Sequence, residues 1–394
     1  MRIAQLASLI LLVGPTLSAQ APSLDQLETR AREDSLDAEA HFRLATRYYT
    51  LKRFDDEERE LRVTIAIDPR YAPAYLWLGY LPFDRKRSLW KDYRKGRVPR
   101  ELVSGVEESE RLWRQAFLVD PLVDFRVIGA EPPTEEMVVV PEYGRATTDY
   151  LLGLGLGAFG AARYELAHSA LTTWAERAYH NQPLDSLPDF LFWYRGLAYA
   201  HLRAWNRAAE DIQTLLRRSL RAERADTLIQ IPLHTSDYQY LLGVLYQAWR
   251  KPADATRLYQ DALAGDLGLY MAHVRLAQLR RESKMWGEAI EEARRATAAN
   301  PDDPTALLEL GIILSEAGRS AEAEETLHQA SSANPRDPRP AYHLGVLEVQ
   351  LGKPAEARES LAQFVARAPQ SRYERLLADA KQRLAALSPN EGPH

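Results

Sequence analysis

Residues 306–318 read ALLELGIILSEAG, and residues 321–335 read AEAEETLHQASSANP. In the first stretch Leu307, Leu310, Gly311 and Leu314 fall at the i, i+3, i+4, i+7 spacing of one helical face. In the second, Ala323, Leu327 and Ala330 make a facing stripe. Gly318 stands where the first helix must turn back, and Pro335 where the second must stop. The pattern predicts two short amphipathic helices packed face to face.

The same pattern recurs with a period of 34 residues. Gly243, Ala277, Gly311 and Gly345 share that spacing, as do Ala255, Ala289, Ala323 and Ala357, always twelve residues further on. Pro301, Pro335 and Pro369 follow it too. The twelve-residue offset returns in Gly155 with Ala167 and Gly196 with Ala208, while Leu44-Ala45 and Leu78-Gly79 carry the period toward the N-terminus, Pro69 closing the first unit. Two helices approach to ~8–10 Å only where the contacting side chains are small, so these columns mark helix crossings. A period this long predicts stacked helix pairs that bury a continuous core.

Over most of residues 38–371 these columns closely resemble the tetratricopeptide repeat family, whose unit is a 34-residue helix pair with Leu-Gly, a later Ala and a helix-ending Pro. The resemblance implies an all-α, right-handed α-solenoid of about eight such helical hairpins, with capping helices and irregular insertions. Glu57 departs from the small-residue column, and Pro82 interrupts the second unit.

The breaks in the period set the expected organisation. A capping helix covers 24–36, and repeats one and two cover 38–121 with a basic insertion at 83–100. An irregular insertion follows at 122–147, then repeats three and four at 148–222, a linker at 223–235 and repeats five to eight at 236–371. A last helix at 372–388 sets Leu376, Leu377, Ala380, Leu384 and Leu387 against Arg375, Asp379 and Arg383, the polar backing that the end of a stack needs.

Composition agrees with a globular chain: 394 residues, 46% hydrophobic and 27% charged, bury a sizeable core. The net charge of −5 offers no basic excess and argues against nucleic acid. Residues 1–19 combine Arg2, an apolar run from Ile3 to Val13 and small residues ending at Ala19. That is the pattern of a secretory signal peptide cleaved after Ala19, its apolar run too short to span a bilayer. The expected location is periplasmic or extracellular, with no transmembrane segment in the mature chain. There is no cysteine, which excludes disulfides, thiol chemistry and cysteine metal sites.

GLGLGAFG at 153–160 contains a G-x-G-x-x-G in Gly155, Gly157 and Gly160. A dinucleotide fingerprint needs a strand directly before it, whereas TTDYLL is helical in pattern. The expectation is the first helix of the third repeat, with Gly153, Gly157 and Gly160 as a bare stripe. Either a neighbouring repeat or the segment 122–147, or a bound peptide, lies against that stripe.

In the resembled family the first helix of each pair lines a concave groove. Carried onto this chain, that role falls to Phe42, Tyr49, Leu76, Tyr80, Phe83, Leu156, Phe159, Trp193, Tyr240, Leu308 and Tyr342. The implied groove is aromatic and apolar and suits another protein or a peptide segment; packing against the next helix is the other role open to each ring. The lysine and asparagine with which some members grip a terminal carboxylate are missing from the matching places. Arg85, Lys86, Arg87, Lys91, Arg94, Lys95 and Arg97, interleaved with Trp90 and Tyr93, form a second candidate for anionic envelope polymer or lipid headgroups. A solvated loop is the plainer reading of that run.

Catalytic signatures are absent: no H-E-x-x-H, no G-x-S-x-G, and histidines such as His168, His201 and His343 scattered within helical patterns. Glu135 and Glu136 are an acid pair of a kind found on many loops. The reading is a non-catalytic interaction scaffold of the cell envelope, with no cofactor and no metal.

Overall fold

The computed structural model describes residues 22–85, 103–123, 144–183, 186–221 and 233–387. Among them stand eighteen helices and no strand. After α1 (Leu24–Glu33) the helices come in pairs: α2 (Ala38–Thr50) with α3 (Phe54–Ile67), then α4 (Ala72–Arg85) with α5 (Val103–Val119). They continue as α6 (Gly144–Gly160) with α7 (Tyr164–Ala178), α8 (Asp189–His201) with α9 (Trp205–Leu220), and α10 (Thr235–Ala248) with α11 (Pro252–Gly265). The last pairs are α12 (Tyr270–Glu282) with α13 (Trp286–Ala299), α14 (Pro304–Glu316) with α15 (Ser320–Ala333), and α16 (Arg339–Gln350) with α17 (Pro354–Arg367), before α18 (Gln370–Leu387). This is the all-α class of repeated helical hairpins that the 34-residue period predicts.

Most pairs close on a glycine of the first helix, with Ala45 and Ala277 at that place in α2 and α12. A Cβ added to Gly311 lies 2.7 Å from Leu327 Cγ, one added to Gly345 lies 2.6 Å from Leu361 Cγ, and one added to Gly243 lies 2.5 Å from the Tyr259 ring. Gly155 meets Leu171 in the same way, at 2.7 Å. The alanines of the second column, including Ala167, Ala255, Ala289, Ala323 and Ala357, have no solvent exposure. The glycine therefore faces a large residue sixteen positions on, while the alanine twelve positions on lets the second helix come close. In the first pair Ala45 takes the glycine place, opposite fully buried Leu61, and Glu57, also fully buried, fills the alanine place.

Every ordinary hairpin turns through one left-handed residue at one register. Lys52, Ala162, Arg203, Arg250, Lys284, Gly318 and Gly352 have φ between +57° and +78°. The following N–H reaches back five residues, as from Arg319 to Leu314 O at 2.9 Å and from Lys251 to Tyr246 O at 2.9 Å, satisfying a carbonyl that the helix end leaves bare. Only two of these residues are glycine.

By packing, the described helices divide into two compact units, one drawn from Tyr75–Asp266 and the other from Leu24–Ala74 with Leu267–His394. In the first, α5 reaches beyond its own pair. Phe117 packs edge-on to Tyr240 at 6.0 Å, Tyr240 Oη donates to Leu118 O at 2.7 Å, and Arg114 pairs with Asp237 and with Asp266, the latter at 2.8 Å. In the second unit α12 to α16 share one core, from Ala277 and Ile290 through Leu308 and Leu327 to Leu347.

The expected leader at 1–19, most of the insertions at 83–100 and 122–147, and most of the linker at 223–235 lie outside the described residues. Gly155, Gly157 and Gly160 sit inside α6, a continuous helix, so the strand that a dinucleotide fingerprint needs is missing. Gly155 is the close-packed member, whereas among the described residues a Cβ on Gly157 meets nothing within 4 Å.

Candidate partner-binding site

The structure gives most of the expected groove side chains to helix packing. Phe42 is buried against Tyr71 with ring centroids 5.0 Å apart, and Tyr80 against Trp113 at 4.9 Å. Phe159 is buried between Tyr164 and Tyr194, Trp193 against Tyr238, and Tyr240 against Tyr259 and Phe117. Leu76 and Leu308 are buried as well. Tyr49, Leu156 and Tyr342 are half-buried. Tyr342 donates to Asp379 at 2.8 Å, and burial together with that carboxylate pushes its phenol up to about 12. The Phe83 side chain lies outside the described residues, as do Lys86, Arg87, Lys91, Arg94, Lys95 and Arg97; Arg85 is exposed at the end of α4.

In α14 the open position lies one residue beyond the expected Leu308. In the second unit the residues at 275, 309 and 343 are half-buried, and so are those at 278, 312 and 346, and at 281, 315 and 349. Their neighbours at 276, 310 and 344 and at 277, 311 and 345 are buried. Consecutive residues on a helix are about 100° apart, so a shift of one position turns a side chain from the core to the open face. The strip reads Arg275, Glu309, His343, then Gln278, Ile312, Val346, then Arg281, Ser315, Val349. It is mixed in charge, where the sequence suggested an aromatic lining.

Charged side chains gather at one end of this strip. Asp68-Pro69-Arg70 at the exit of α3 and Asp337-Pro338-Arg339 at the entry of α16 are the same tripeptide met twice. Arg339 closes a fork onto its own Asp337, Nε to Oδ1 at 2.9 Å and Nη2 to Oδ2 at 2.6 Å. Asp68 accepts from Arg372 Nη2 at 2.6 Å and from the Arg70 N–H at 3.0 Å. Glu309 accepts from Gln278 Nε2 at 3.2 Å and lies 3.6 Å from Arg281. Asp303 caps α14 through the Ala306 N–H at 2.8 Å and accepts from Tyr270 Oη at 3.0 Å.

The cluster interleaves arginines with carboxylates. Desolvation by the surrounding protein, then Arg275, then Arg339, hold the Arg70 guanidinium below its ordinary value, against the pull of Asp68 and Glu309. Arg70 nevertheless keeps its access to solvent. His343 is pushed down to about 4, first by burial and then by Arg339 and Arg281, so it is neutral at physiological pH. Arg372 is raised, because Asp68 outweighs the effect of burial. The sequence hid this cluster because Arg70 and Arg339 belong to opposite ends of the chain; the shared tripeptide was the one local sign.

Among the described residues no group of three or more His, Asp or Glu side chains is arranged to hold a metal ion, and no helix is long and apolar enough to cross a membrane.

No curated protein matches this chain. The family model for the tetratricopeptide repeat matches residues 280–342 and 314–380. Similar solved structures include PilW, a widely conserved type IV pilus biogenesis factor, at 18% identity over 59% of this chain and 98% of that one, with a TM-score of 0.44. The C-terminal part of a TPR repeat-containing protein from Cytophaga hutchinsonii is 14% identical over 63% of this chain and 96% of its own, with a TM-score of 0.43. A tetratricopeptide repeat protein from Parabacteroides merdae is 13% identical over 76% and 96%, with a TM-score of 0.42. The family model thus matches across the last repeats, and the hairpin that closes on Gly311 and Gly345 there also closes on Gly155 and Gly243 earlier in the chain.

Proposed function

We propose that the chain is a non-catalytic scaffold of the cell envelope that holds another protein or a peptide segment on the open strip of α12, α14 and α16. One observation carries this reading. Three successive repeats leave the same register positions partly uncovered, so that Gln278, Ile312 and Val346 form a row at 34-residue intervals while their flanking positions are buried. A row spaced by the repeat suits an extended segment crossing several helices, since each helix offers one contact and the contacts add. The signal-peptide pattern of residues 1–19 supports the envelope as the setting.

Affinity capture from envelope extract, with the chain as bait, tests the reading. A partner retained by the unaltered chain and lost by the Ile312→Asp/Val346→Asp double variant is expected. Equal capture by both, with both folded by circular dichroism, refutes the strip as the binding surface.

A further inference from the structure

We propose that α5 is an intramolecular occupant of the face of α8 and α10 in the first unit, seated where a partner's helix with an Arg-x-x-Phe pattern near its C-terminus would bind, so that this face receives the partner only when α5 gives way. The inference does not depend on the strip of α12, α14 and α16.

Direction separates α5 from the stack. The stacking neighbour of α10 is α9, and the two run antiparallel: Gln213 Nε2 donates to Tyr246 Oη at 2.9 Å, while the hydroxyls of Ser219 and Thr235 lie 2.7 Å apart. α5 runs the other way. Arg114 pairs with Asp237, and four residues later Leu118 O accepts from Tyr240 Oη at 2.7 Å, so the numbers rise together on both helices. Just past α5, Leu122 O accepts from His201 Nε2 at 3.1 Å, in the last turn of α8. A helix that lies parallel to α10 and reaches α8 lies across the first helices and is not the next member of the stack. The register agrees. Leu241, Leu197 and Ala200 stand at the places of 275, 278 and 281, half-buried in the second unit, and all three are buried.

The contacts name the chemistry that fits. Leu118 O belongs to the last turn of α5 and Leu122 O to the turn after it, so the end of any helix supplies such carbonyls. Arg114 and Phe117 are specific. Arg114 also pairs with Asp266 at 2.8 Å, and Phe117 is fully buried against Tyr240 with ring centroids 6.0 Å apart. α5 can leave without undoing its own pair, because Trp113, which fills the space beside Gly79 and stacks on Tyr80 at 4.9 Å, closes it on α4. The ion pair is also open to challenge: the Arg114 and Asp266 side chains keep 28% and 37% of their surface in solvent, where a competing cation reaches Asp266.

The test is fluorescence anisotropy with the full chain and a labelled peptide of residues 103–123. The peptide is expected to bind Arg114→Glu, whose α5 is repelled by Asp237 and Asp266, about tenfold or more tightly than the parent, and Tyr240→Phe added to that variant should weaken it several-fold. Circular dichroism checks that the variant folds. A second arm holds if it does not: Asp266→Lys should prefer the peptide with Glu in place of Arg114 over the natural peptide, an inversion that misfolding does not produce. Equal binding to parent and Arg114→Glu, or no inversion in Asp266→Lys, overturns the proposal. So does a dimer of the parent, seen by light scattering, that Arg114→Glu dissociates, since the face then belongs to a second copy of the chain.

Discussion

Leu327 occupies the space that a side chain on Gly311 would need: a Cβ built there lies 2.7 Å from Leu327 Cγ and 2.8 Å from its Cδ2. Leu327 is fully buried, so it has little room to yield. Gly311→Ala is expected to cost about 1–3 kcal/mol by overpacking, more than the helix propensity that it gains. Gly157 is the control. With no described residue within 4 Å of its Cβ, Gly157→Ala should raise stability by about 0.5–1 kcal/mol. Thermal melts of the two variants should move in opposite directions.

The left-handed turns allow a second comparison. Arg250 and Lys284 have φ of +58° and +57°, a conformation that costs a residue with a Cβ roughly 1 kcal/mol. Glycine is already used at the same place in the turns at Gly318 and Gly352. Lys284→Gly should therefore stabilise by about 0.5 kcal/mol despite the larger entropy of the unfolded chain, and Gly318→Ala should destabilise by about 1 kcal/mol. Denaturant midpoints measure both.

Arg195 and Asp211 form a forked pair inside the fourth repeat, Nε to Oδ2 at 2.8 Å and Nη2 to Oδ1 at 2.6 Å, with both side chains largely buried. Burial pushes the Asp211 carboxyl up even with Arg195 bound to it, so the carboxylate depends on its partner. Arg195→Met should cost about 3–5 kcal/mol, whereas Arg195→Met with Asp211→Leu should recover most of that loss. A double-mutant cycle by chemical denaturation checks it; additive losses would contradict the coupling.

His343 ties stability to acid. Its folded pKa of about 4 lies below the ordinary 6.5, first through burial and then through Arg339 and Arg281, with Asp337 opposing. Between these values the unfolded chain binds the proton that the folded chain refuses, so stability falls as pH drops from about 6.5 toward 4 and is complete above that window. The loss reaches about 3 kcal/mol at the lower limit. His343→Gln should flatten the acid limb of melting temperature against pH without changing the plateau near pH 8.

The hairpins were legible in the sequence, and the open surface was not. Gly243, Gly311 and Gly345 declare themselves because a side chain there would collide with Tyr259, Leu327 and Leu361, a demand that acts within sixteen positions of one chain segment. The face that stays uncovered depends on rotation about the helix. Leu308 is buried while Glu309 beside it is half-buried, and a hydrophobic stripe of three to four residues per two turns does not say where that edge lies. Tyr240 is further removed from solvent by Phe117 and Leu118, more than a hundred positions earlier. The pairing of Asp68 with Arg372 is of the same kind: the pattern of a single repeat carries no information about which distant helix returns to it.

Trp113 stands against Gly79 much as Leu327 stands against Gly311, although thirty-four positions separate the first two and sixteen the second. The facing surfaces of the two helices, and not the length of what joins them, therefore define the hairpin. Two fragments divided between α4 and α5 should find each other and assemble like a broken key, each half carrying the shape that the other requires.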